Sequence, residues 1–594
     1  MKLTLLFLFL TAVCFSQIKN PDITAKEIYE HIKYLASDEL KGRNTGSEEI
    51  REAAEYIKKE FESYGLSPAF GNSYFQPFKF NSSVKLESKN ELTIYVNGED
   101  MELEAEKDFM PLPFSGSKSL KGDLVFAGFG IQDLKNNYDD YKGIDVKGKV
   151  VVIFRLYPDF QNSKSPFAIY KGIRQKAKIA KESGASGLII VNGYEDIPFA
   201  KDDEFIRFAY DRAPLMTDFP VVQIKRKYIE KIFQIKGNSL ENLFNMIDVS
   251  KEPSPLALDG ITVSMSTGVK IEQGECINVG AILEGSDPVL KNEYIVVGAH
   301  YDHLGMGGEN SLNSEKTAQI HNGADDNASG TTGVLELAEK FAAMRDKVKR
   351  SMIFVAFSGE ELGLLGSAFF ANNSPVTLES IAAMINMDMI GRMDSSKTLI
   401  VYGTGTSTKW NELLSKNNPG FTLTMNADGF GGSDHSSFYA KKIPVLFFFT
   451  GIHTDYHKPT DDYDKINPDG EKEILEFVYT VINELVVNET KPDYVSVQKK
   501  ETESTGGWRV YVGTVPDFAS QEEGFKISAV NDGSPAAKGG IKPGDLMVKF
   551  GSKTISNIYD YVYALQEYKP GDEVEVIVRR ENKEVKLQII LGMK

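Results

Sequence analysis

Helical spacing of apolar residues marks the start of the chain. Residues 25–40 and 47–64 each place their apolar side chains three or four positions apart, which predicts two amphipathic helices. Ser47 is the expected N-cap of the second helix and Gly65 its end. The apolar positions are Ile28, Ile32 and Leu35 in the first helix and Ala53, Ala54, Ile57 and Phe61 in the second.

Between residues 277 and 490, short β-branched or aromatic runs alternate with helical patterns. This alternation predicts a parallel sheet covered by helices on both faces. The expected fold class is therefore α/β, with a mixed, mainly parallel central sheet flanked by helices. The predicted strands are 295–299, 352–357, 382–387 and 445–449.

Each of these four strands ends in groups that can bind a metal ion. His300 ends the first, Glu360 and Glu361 follow the second, Asp388 follows the third, and residues 453–457 follow the fourth. The carboxyl ends of parallel strands form one edge of a sheet, and ligands bind in the crevice beyond that edge. The acidic turn 323–330, just before a predicted helix, adds Asp326.

Residues 115–262 are predicted to form a separate α/β unit inserted into this sheet domain. Strands are expected at 122–129, 150–155 and 187–192, and a helix at 173–183. The segment 178–191, KIAKESGASGLIIV, resembles the protease-associated (PA) domain. The main domain is then discontinuous and comprises residues 17–114 and 263–495.

A charged linker at 497–507 precedes a last unit, residues 508–594. Its segments GSPAA (533–537) and GIKPGD (540–545) resemble a bacterial secreted-type PDZ domain, a small β-barrel-like fold. Such domains bind a peptide terminus as an added edge strand. The loop Tyr511-Val512-Gly513-Thr514 departs from the usual pattern, so peptide binding and packing against the catalytic domain both stay open.

Composition limits the location and partners of the protein. Met1-Lys2 and the following short apolar run predict a signal peptide at 1–16 and a secreted or periplasmic protein. Lipid attachment at Cys14 is not expected because Val13 stands where a small residue is required. The net charge of −17 argues against nucleic acid as a partner, and no later apolar run is long enough to insert into a membrane.

Six of the seven histidines lie between positions 300 and 457. Imidazoles and carboxylates together are the usual ligands of zinc, and one carboxylate can bridge two ions. A set of five candidates is one more than a single tetrahedral ion needs, so the sequence favours a two-metal site. The five are His300, Asp326, Glu361, Asp388 and His457.

Five ordered motifs resemble the M28 metallopeptidases, a family of zinc aminopeptidases: GAHYDH (298–303), GADDNASG (323–330), GEELG (359–363), NMDMIG (386–391) and YH (456–457). The resemblance implies that His300 and Asp388 bind one zinc ion, that Glu361 and His457 bind the other, and that Asp326 bridges them. It also implies a cis peptide bond between Asp326 and Asn327, and it makes Asp325 the wrong choice for the bridge.

The resemblance also assigns supporting residues. Glu360 is implied as the general base and Tyr456 as the group that stabilises the oxyanion. Asp302 is expected to accept the second ring N–H of His300, with Asp434 and His435 also lying behind the ligands. We expect ordinary structural roles for His303, His321 and His453, and a core position for the aromatic run 447–449.

The sequence thus predicts a secreted metallo-aminopeptidase that uses two zinc ions and no organic cofactor to cleave N-terminal residues from peptides. Carboxypeptidase or dipeptidase action on the same scaffold remains open. Two less favoured alternatives are a glutaminyl cyclase, which would need one zinc ion, and a non-catalytic peptide-binding protein.

Overall fold

A computed structural model describes residues 21–162, 164–308, 310–314, 317–497, 510–517, 520 and 522–593. The predicted signal peptide, Cys14 and most of the predicted linker at 497–507 lie outside the described residues. Within these ranges, no helix combines the length and the apolar character needed to cross a bilayer.

The first large sheet has nine strands and a parallel centre. Its four central strands, Ser351–Phe357, Tyr294–His300, Ile381–Met387 and Val445–Phe449, run parallel to one another. They match the four predicted strands within one residue at each end. The outer strands are Ser67–Pro68, Phe75–Leu86, Val269–Leu283, Thr398–Tyr402 and Thr422–Met425.

Helices cover both faces of this sheet because its central strands are apolar on both sides. Ile295 and Val297 are fully buried under one layer, which includes helices Ala25–Leu35 and Glu48–Ser63. Val296 is buried under the opposite layer. Ser47 caps the second helix by accepting a hydrogen bond from the Ile50 amide. The other helices are Gly330–Ala343, Leu365–Asn372, Trp410–Asn417, His435–Tyr439 and Pro468–Val487.

One predicted helix is interrupted. The structure ends the helix at Leu35 and continues with a short 3-10 turn, Asp38–Leu40, where residues 25–40 were expected to be continuous. Lys41 and Arg43 then adopt positive φ angles of 41° and 46°, which a helix does not allow. The break brings Arg43 into the interior of the molecule, where it is fully buried.

The second large sheet has eight strands and is wider than the predicted insertion. Strands Glu91–Val96, Glu99–Leu103 and Phe109–Pro111 belong to it, although all three precede residue 115. Only residue 268 separates the strand that ends at Thr267 from the next strand of the nine-stranded sheet. The sequence pattern of a strand does not reveal its partner, which explains the difference. The other strands are Lys118–Phe126, Val150–Phe154, Gly187–Val191, Val221–Ile224 and Leu256–Thr267.

Helices and a small two-stranded sheet complete this second body. Helix Ile173–Glu182 packs beside strand Gly187–Val191, and both follow the prediction closely. The remaining helices are Pro198–Lys201, Arg226–Ile235 and Leu240–Ser250, and the small sheet pairs Gln132–Asp133 with Tyr138–Asp139.

The C-terminal body has a six-stranded sheet and two helices around its own apolar core. Helix Ile558–Leu565 faces the second body, where Asp560 pairs with Lys178 at 3.2 Å. The other helix is Pro535–Lys538. The strands are Thr514–Pro516, Phe525–Val530, Leu546–Phe550, Lys553–Thr554, Glu573–Arg580 and Lys583–Ile590, with Val510–Tyr511 paired separately with Gly592–Met593.

Candidate active site

The ends of the parallel strands bring the predicted ligands together. His300 is the last residue of its strand and lies opposite Phe357 in the neighbouring strand. Glu360 and Glu361 follow Phe357 after a two-residue turn, and Asp388 directly follows the strand Ile381–Met387. The parallel register therefore places these side chains at one edge of the sheet.

Asp326 reaches this edge from an irregular turn, Ala324–Ser329, that precedes helix Gly330–Ala343. The peptide bond between Asp326 and Asn327 is cis, as the sequence resemblance implied. Asp461 holds the turn by accepting hydrogen bonds from the amides of Asp325 and Asp326 at 3.0 and 3.1 Å. Gly323 is required here, because a Cβ atom would lie 2.2 Å from the Asp326 carbonyl oxygen.

The five predicted ligands converge on one point. The two carboxylate oxygens of Asp326 face two different histidines: Oδ1 lies 3.4 Å from His300 Nε2, and Oδ2 lies 3.3 Å from His457 Nε2. Asp388 Oδ2 is 3.4 Å from His300 Nε2, and Glu361 Oε2 is 3.4 Å from His457 Nε2. We call His300, Asp326, Glu361, Asp388 and His457 the ligand cluster.

The ring orientations of the two histidines suit metal binding. His300 Nδ1 lies 3.1 Å from the Asp302 carbonyl oxygen, and His457 Nδ1 lies 2.8 Å from the Asn310 carbonyl oxygen. A carbonyl only accepts hydrogen bonds, so each Nδ1 carries the proton. The Nε2 lone pairs of both rings then point into the ligand cluster, as a metal ligand requires.

Contrary to the sequence-based prediction, the Asp302 carboxylate does not accept the ring N–H of His300. Its carboxylate Oδ1 is 3.8 Å from His300 Nδ1, farther than its own carbonyl oxygen. The carboxylate instead accepts hydrogen bonds from the amides of Glu360 and Glu361 at 3.1 and 3.3 Å and from the Thr45 hydroxyl at 2.9 Å. Asp302 thus fixes the backbone that carries the expected base and one ligand.

His303, for which we expected an ordinary structural role, contacts the ligand cluster. Its Nδ1 lies 2.7 Å from Glu361 Oε1, while the other oxygen of Glu361 faces His457. His303 Nδ1 is 3.8 Å from Asp326, so its geometry differs from that of His457. We assign it to holding the Glu361 carboxylate in place. By contrast, His321 is satisfied by Ser311 and Gln319, and His453 lies 3.2 Å from Asp325.

Asp434 and His435 are buried behind the ligand cluster. Burial, followed by nearby acidic groups, raises the pKa of Asp434 to about 7 although His300 opposes the shift. His435 contacts no ligand residue through its ring nitrogens and stacks on Phe447 with ring centroids 4.6 Å apart. Instead Ser433, which directly precedes Asp434, donates a hydrogen bond to Asp388 Oδ2 at 2.7 Å.

Arg43 connects the N-terminal segment to the site. Its guanidinium donates hydrogen bonds to the carbonyl oxygens of Tyr301, Asn322 and Gly323 at 2.7–2.9 Å, and to that of Leu35. Two of these carbonyls flank the loops that carry His300 and Asp326. Burial lowers the pKa of Arg43 to about 10, so the group stays cationic at neutral pH. In the sequence, this residue lies in the polar, glycine-containing stretch 42–47 that separates the two helical patterns.

The ligand cluster contains several buried carboxylates, which bound cations would stabilise. Burial, and then the neighbouring acidic groups, raise the pKa values of Glu360 and Glu361 well above their ordinary range. Burial works against the charged form of His457, but hydrogen bonding to Asp326 and the charge of Glu361 raise its pKa to about 9. Buried carboxylates are stable only when paired or bound to metals. The donor set therefore fits divalent metal ions.

 An aromatic cavity of about 280 Å³ opens beside Glu360. The carboxylates of Glu360, Asp326 and Asp388 line it. Phe447 and Phe449 line its wall, although we expected the run 447–449 to lie in the core. Side chains alternate along a strand, so Phe448 alone points fully inward. The other lining residues are Met389, Tyr402, Gly431, Gly432, Ile452, Tyr456 and His457.

Tyr456 stacks on the imidazole of His457, with ring centroids 3.9 Å apart and an angle of 26° between the rings. Burial, followed by the charge of Asp326, raises the pKa of its hydroxyl. The hydroxyl therefore stays protonated at neutral pH and can donate a hydrogen bond into the cavity.

Comparison with known families agrees with the three bodies of the fold. Residues 278–482 match the model of peptidase family M28, residues 120–232 match that of the PA domain, and residues 510–591 match that of the PDZ domain. The M28 match contains the whole ligand cluster, together with Glu360 and His303.

Curated relatives share this region. Aminopeptidase YwaD of Bacillus subtilis (strain 168) is 26% identical over 434 residues, which cover 71% of this chain and 78% of the relative. Leucine aminopeptidase 2 of Arthroderma otae is 24% identical over 421 residues, or 69% of each chain. A probable zinc metalloprotease of Pyrenophora teres f. teres is 41% identical over 114 residues, 19% of this chain and 22% of the relative.

A solved structure, the zinc aminopeptidase BSAP from Bacillus subtilis, aligns with a TM-score of 0.45 at 22% identity and covers 81% of this chain and 100% of its own. The family models and the relatives together establish the class of the protein. Residues 278–482 form a peptidase family M28 domain, and the chain is a zinc-dependent metallopeptidase that also carries a PA domain and a PDZ domain.

Proposed function

We propose that the protein is an exported aminopeptidase that works with two zinc ions. The observation that carries the proposal is the position of Asp326, whose two carboxylate oxygens face the Nε2 atoms of two different histidines at 3.4 and 3.3 Å. One carboxylate between two imidazoles is the arrangement that bridges a pair of ions.

In this proposal His300 and Asp388 would hold one zinc ion, Glu361 and His457 would hold the other, and Asp326 would serve both. When bound, the ions supply the Lewis acidity that makes a water molecule nucleophilic at neutral pH. The carbonyl oxygens of Asp302 and Asn310 keep the Nδ1 protons of the two histidines in place. His303 holds Glu361, and Ser433 holds Asp388.

Glu360 is the proposed general base. Its Oε2 lies 3.9 Å from His300 Nε2, its side chain lines the aromatic cavity, and Asp302 fixes its backbone amide. From this position its carboxylate can accept a proton from the attacking water and pass it to the leaving amine. Tyr456 is the proposed donor to the developing oxyanion, because its protonated hydroxyl shares the same cavity.

The lining of the aromatic cavity supports cleavage at the N-terminus. It includes the carboxylates of Asp326, Glu360 and Asp388, and its described lining residues include no lysine or arginine. With Asp326 and Asp388 assigned to zinc, the lining offers no cationic side chain to a substrate's C-terminal carboxylate, which favours a free N-terminal residue in the cavity. The aromatic and aliphatic walls favour an apolar N-terminal side chain.

The test uses matched substrates with a free or an acetylated N-terminus. The proposal predicts cleavage of leucine p-nitroanilide and Leu-Gly-Gly, no cleavage of their N-acetyl forms, and loss of activity after chelation that zinc restores. Release of C-terminal residues from the acetylated peptide would contradict the aminopeptidase assignment. Full activity after complete removal of metal would contradict the metal assignment. Export is tested separately, by the N-terminal sequence of the mature protein.

A further inference from the structure

A second, more polar cleft also borders the ligand cluster. Its volume is about 350 Å³, and Glu361 and His303 line it, whereas Glu360 lines the aromatic cavity. We call the parts built on the nine-stranded sheet, the eight-stranded sheet and the C-terminal sheet the M28, PA and PDZ bodies. All three contribute to the walls of the cleft: Asn44, Thr45, residues 80–84, His303, Leu304, Gly307 and Asn310 from the M28 body, Phe208, Ala209, Tyr210 and Arg212 from the PA body, and Ser520 from the PDZ body. We call it the polar cleft.

The loop 208–212 of the PA body is fixed in this cleft from three sides. The Asn81 amide of the M28 body donates a hydrogen bond to the Tyr210 hydroxyl at 3.1 Å. Arg174 of the PA body forms a bidentate pair with Asp211 at 2.7–2.9 Å. Tyr559 of the PDZ body donates a hydrogen bond to the Asp211 carbonyl oxygen at 2.8 Å. The next residue along the chain is Arg212.

Arg212 has the features of a binding residue. Its φ angle of 59° lies in the left-handed region, which is uncommon for a residue other than glycine and clusters at functional sites. Its guanidinium reaches the Glu361 carbonyl oxygen at 3.5 Å. Among the residues that the structure describes, no carboxylate forms an ion pair with it, although it lines the polar cleft.

The proposed function fixes which part of a peptide enters the polar cleft. With the N-terminal residue in the aromatic cavity and the scissile carbonyl at the ligand cluster, the polar cleft, which Glu361 lines, is a described cavity beside the cluster that can take the remaining residues. The guanidinium of Arg212 lies beside this same residue, and each peptide residue spans at most about 3.6 Å. A group bound by Arg212 therefore belongs to the first or second residue after the scissile bond.

We propose that Arg212 binds a carboxylate on this leaving portion, so that the enzyme prefers short peptides, above all dipeptides and tripeptides with a free C-terminus. The inference rests on the proposed aminopeptidase function. Guanidinium groups bind carboxylates through paired, charge-assisted hydrogen bonds. An acidic side chain at the same position would offer the same chemistry.

The experiment compares Leu-Gly-Gly, its C-terminal amide, Leu-Glu-Gly amide and leucine p-nitroanilide on the zinc-loaded full-length enzyme. We expect wild type to prefer the free acid over the amide and Arg212→Gln to lower kcat/KM for the free acid by about 30-fold. Cleavage of the anilide should not change. Arg207→Gln, an exposed arginine outside the polar cleft, is the matched control.

The outcomes separate the inference from the proposed function. Equal cleavage of acid and amide by wild type, or equal losses on both in Arg212→Gln, would overturn the inference while anilide cleavage still supports the aminopeptidase. Absence of anilide cleavage by wild type would instead overturn the proposed function. Sensitivity of Leu-Glu-Gly amide to Arg212→Gln would support carboxylate binding and assign an acidic side chain as a second source.

Tyr559 is then a positioning residue that acts through Asp211. Tyr559→Phe removes its hydrogen bond to the loop but leaves the aromatic ring in the interface between the PDZ and PA bodies. We expect a rise of KM for Leu-Gly-Gly of about threefold, with kcat and anilide cleavage unchanged. A change that is the same for acid and amide would contradict this role.

Discussion

The nine-stranded and eight-stranded sheets both contain parallel strands, but different charged side chains lie at the ends of those strands. At the edge of the nine-stranded sheet, His300, Glu360, Glu361 and Asp388 face one another, with Arg43 directed to backbone carbonyls rather than to the carboxylates. At the end of strand Val150–Phe154 in the eight-stranded sheet, a single lysine faces backbone carbonyls.

That lysine is Lys176, which is buried and forms hydrogen bonds to the backbone at the end of this strand. Its ammonium group donates to the carbonyl oxygens of Phe154 and Arg155 at 3.3 and 3.1 Å, and to that of Leu156. Burial lowers its pKa to about 7, while Asp140 and Glu195 oppose the shift. The comparison shows two ways to satisfy the polar groups at the ends of parallel strands. In the eight-stranded sheet the ammonium group of Lys176 binds them, and we call this the closed edge. In the nine-stranded sheet the ligand cluster is available to external cations, and we call this the open edge. The open edge is the one that carries chemistry.

The largest expected effect is on turnover, at Glu360. Glu360→Gln keeps the size of the side chain but removes the proton acceptor, so we expect kcat to fall by about 10³-fold. Zinc content and thermal stability should stay close to those of wild type, because Glu360 is not in the ligand cluster. Glu379→Gln, at an exposed position, is the control. Retention of most of the activity by Glu360→Gln would remove the proposed base.

A variant of His303 tests whether this residue binds zinc itself or only holds the ligand Glu361 in place. His303→Gln removes the 2.7 Å contact with Glu361, and we expect zinc affinity to fall by about 10–100-fold. Titration of the metal-free protein with zinc in a competing chelator measures this loss. Saturating zinc should restore most of the activity. The control is His321→Gln, since His321 contacts no ligand. Irreversible loss of one zinc ion would make His303 a ligand itself.

A variant of Lys176 tests whether its hydrogen bonds stabilise the end of the eight-stranded sheet. Lys176→Met leaves three carbonyl groups without their donor, and we expect the free energy of unfolding to fall by about 3 kcal/mol. Denaturant unfolding, followed by a probe in the PA body, measures the change. Lys181→Met on the exposed side of the same helix should have little effect. The number of zinc ions bound by the folded protein should not change, and a loss of zinc would contradict the separation of the two edges.

The smallest effect concerns Glu336, a buried carboxylate in the helix behind the open edge. Burial, followed by the charges of Glu27 and Glu339, raises its pKa from 4.5 to about 8. Between these values the folded protein holds a proton that the unfolded chain has lost, so stability falls as pH rises from 4.5 to 8. Glu336→Gln should flatten this part of the Tm profile. Parallel profiles for variant and wild type would show that Glu336 is ionised in the folded state.

The sequence was sufficient for the strands and for the convergence of the ligand cluster. Apolar runs that end in His300 or Asp388 specify both the strand and the position of the side chain at its end, because parallel strands share an edge. Five short motifs could thus be placed together without knowledge of the loops between them.

Loop geometry was not predictable in the same way. His303 contacts Glu361 from a loop that lies beside the turns held by Arg43 and Gly323, and these contacts leave no periodic pattern in the sequence. The Asp302 carboxylate turns to backbone amides for a similar reason. The 208–212 loop depends on contacts among all three bodies, which single-domain patterns do not contain.

Metal content tests the central claim most directly. The chain should be purified, saturated with zinc, freed of loosely bound metal by gel filtration and analysed for zinc per chain beside Asp326→Ala. The account predicts two zinc ions per wild-type chain, with loss from both positions in the variant because one carboxylate serves both. One zinc ion per wild-type chain, or an unchanged pair in Asp326→Ala, would contradict it.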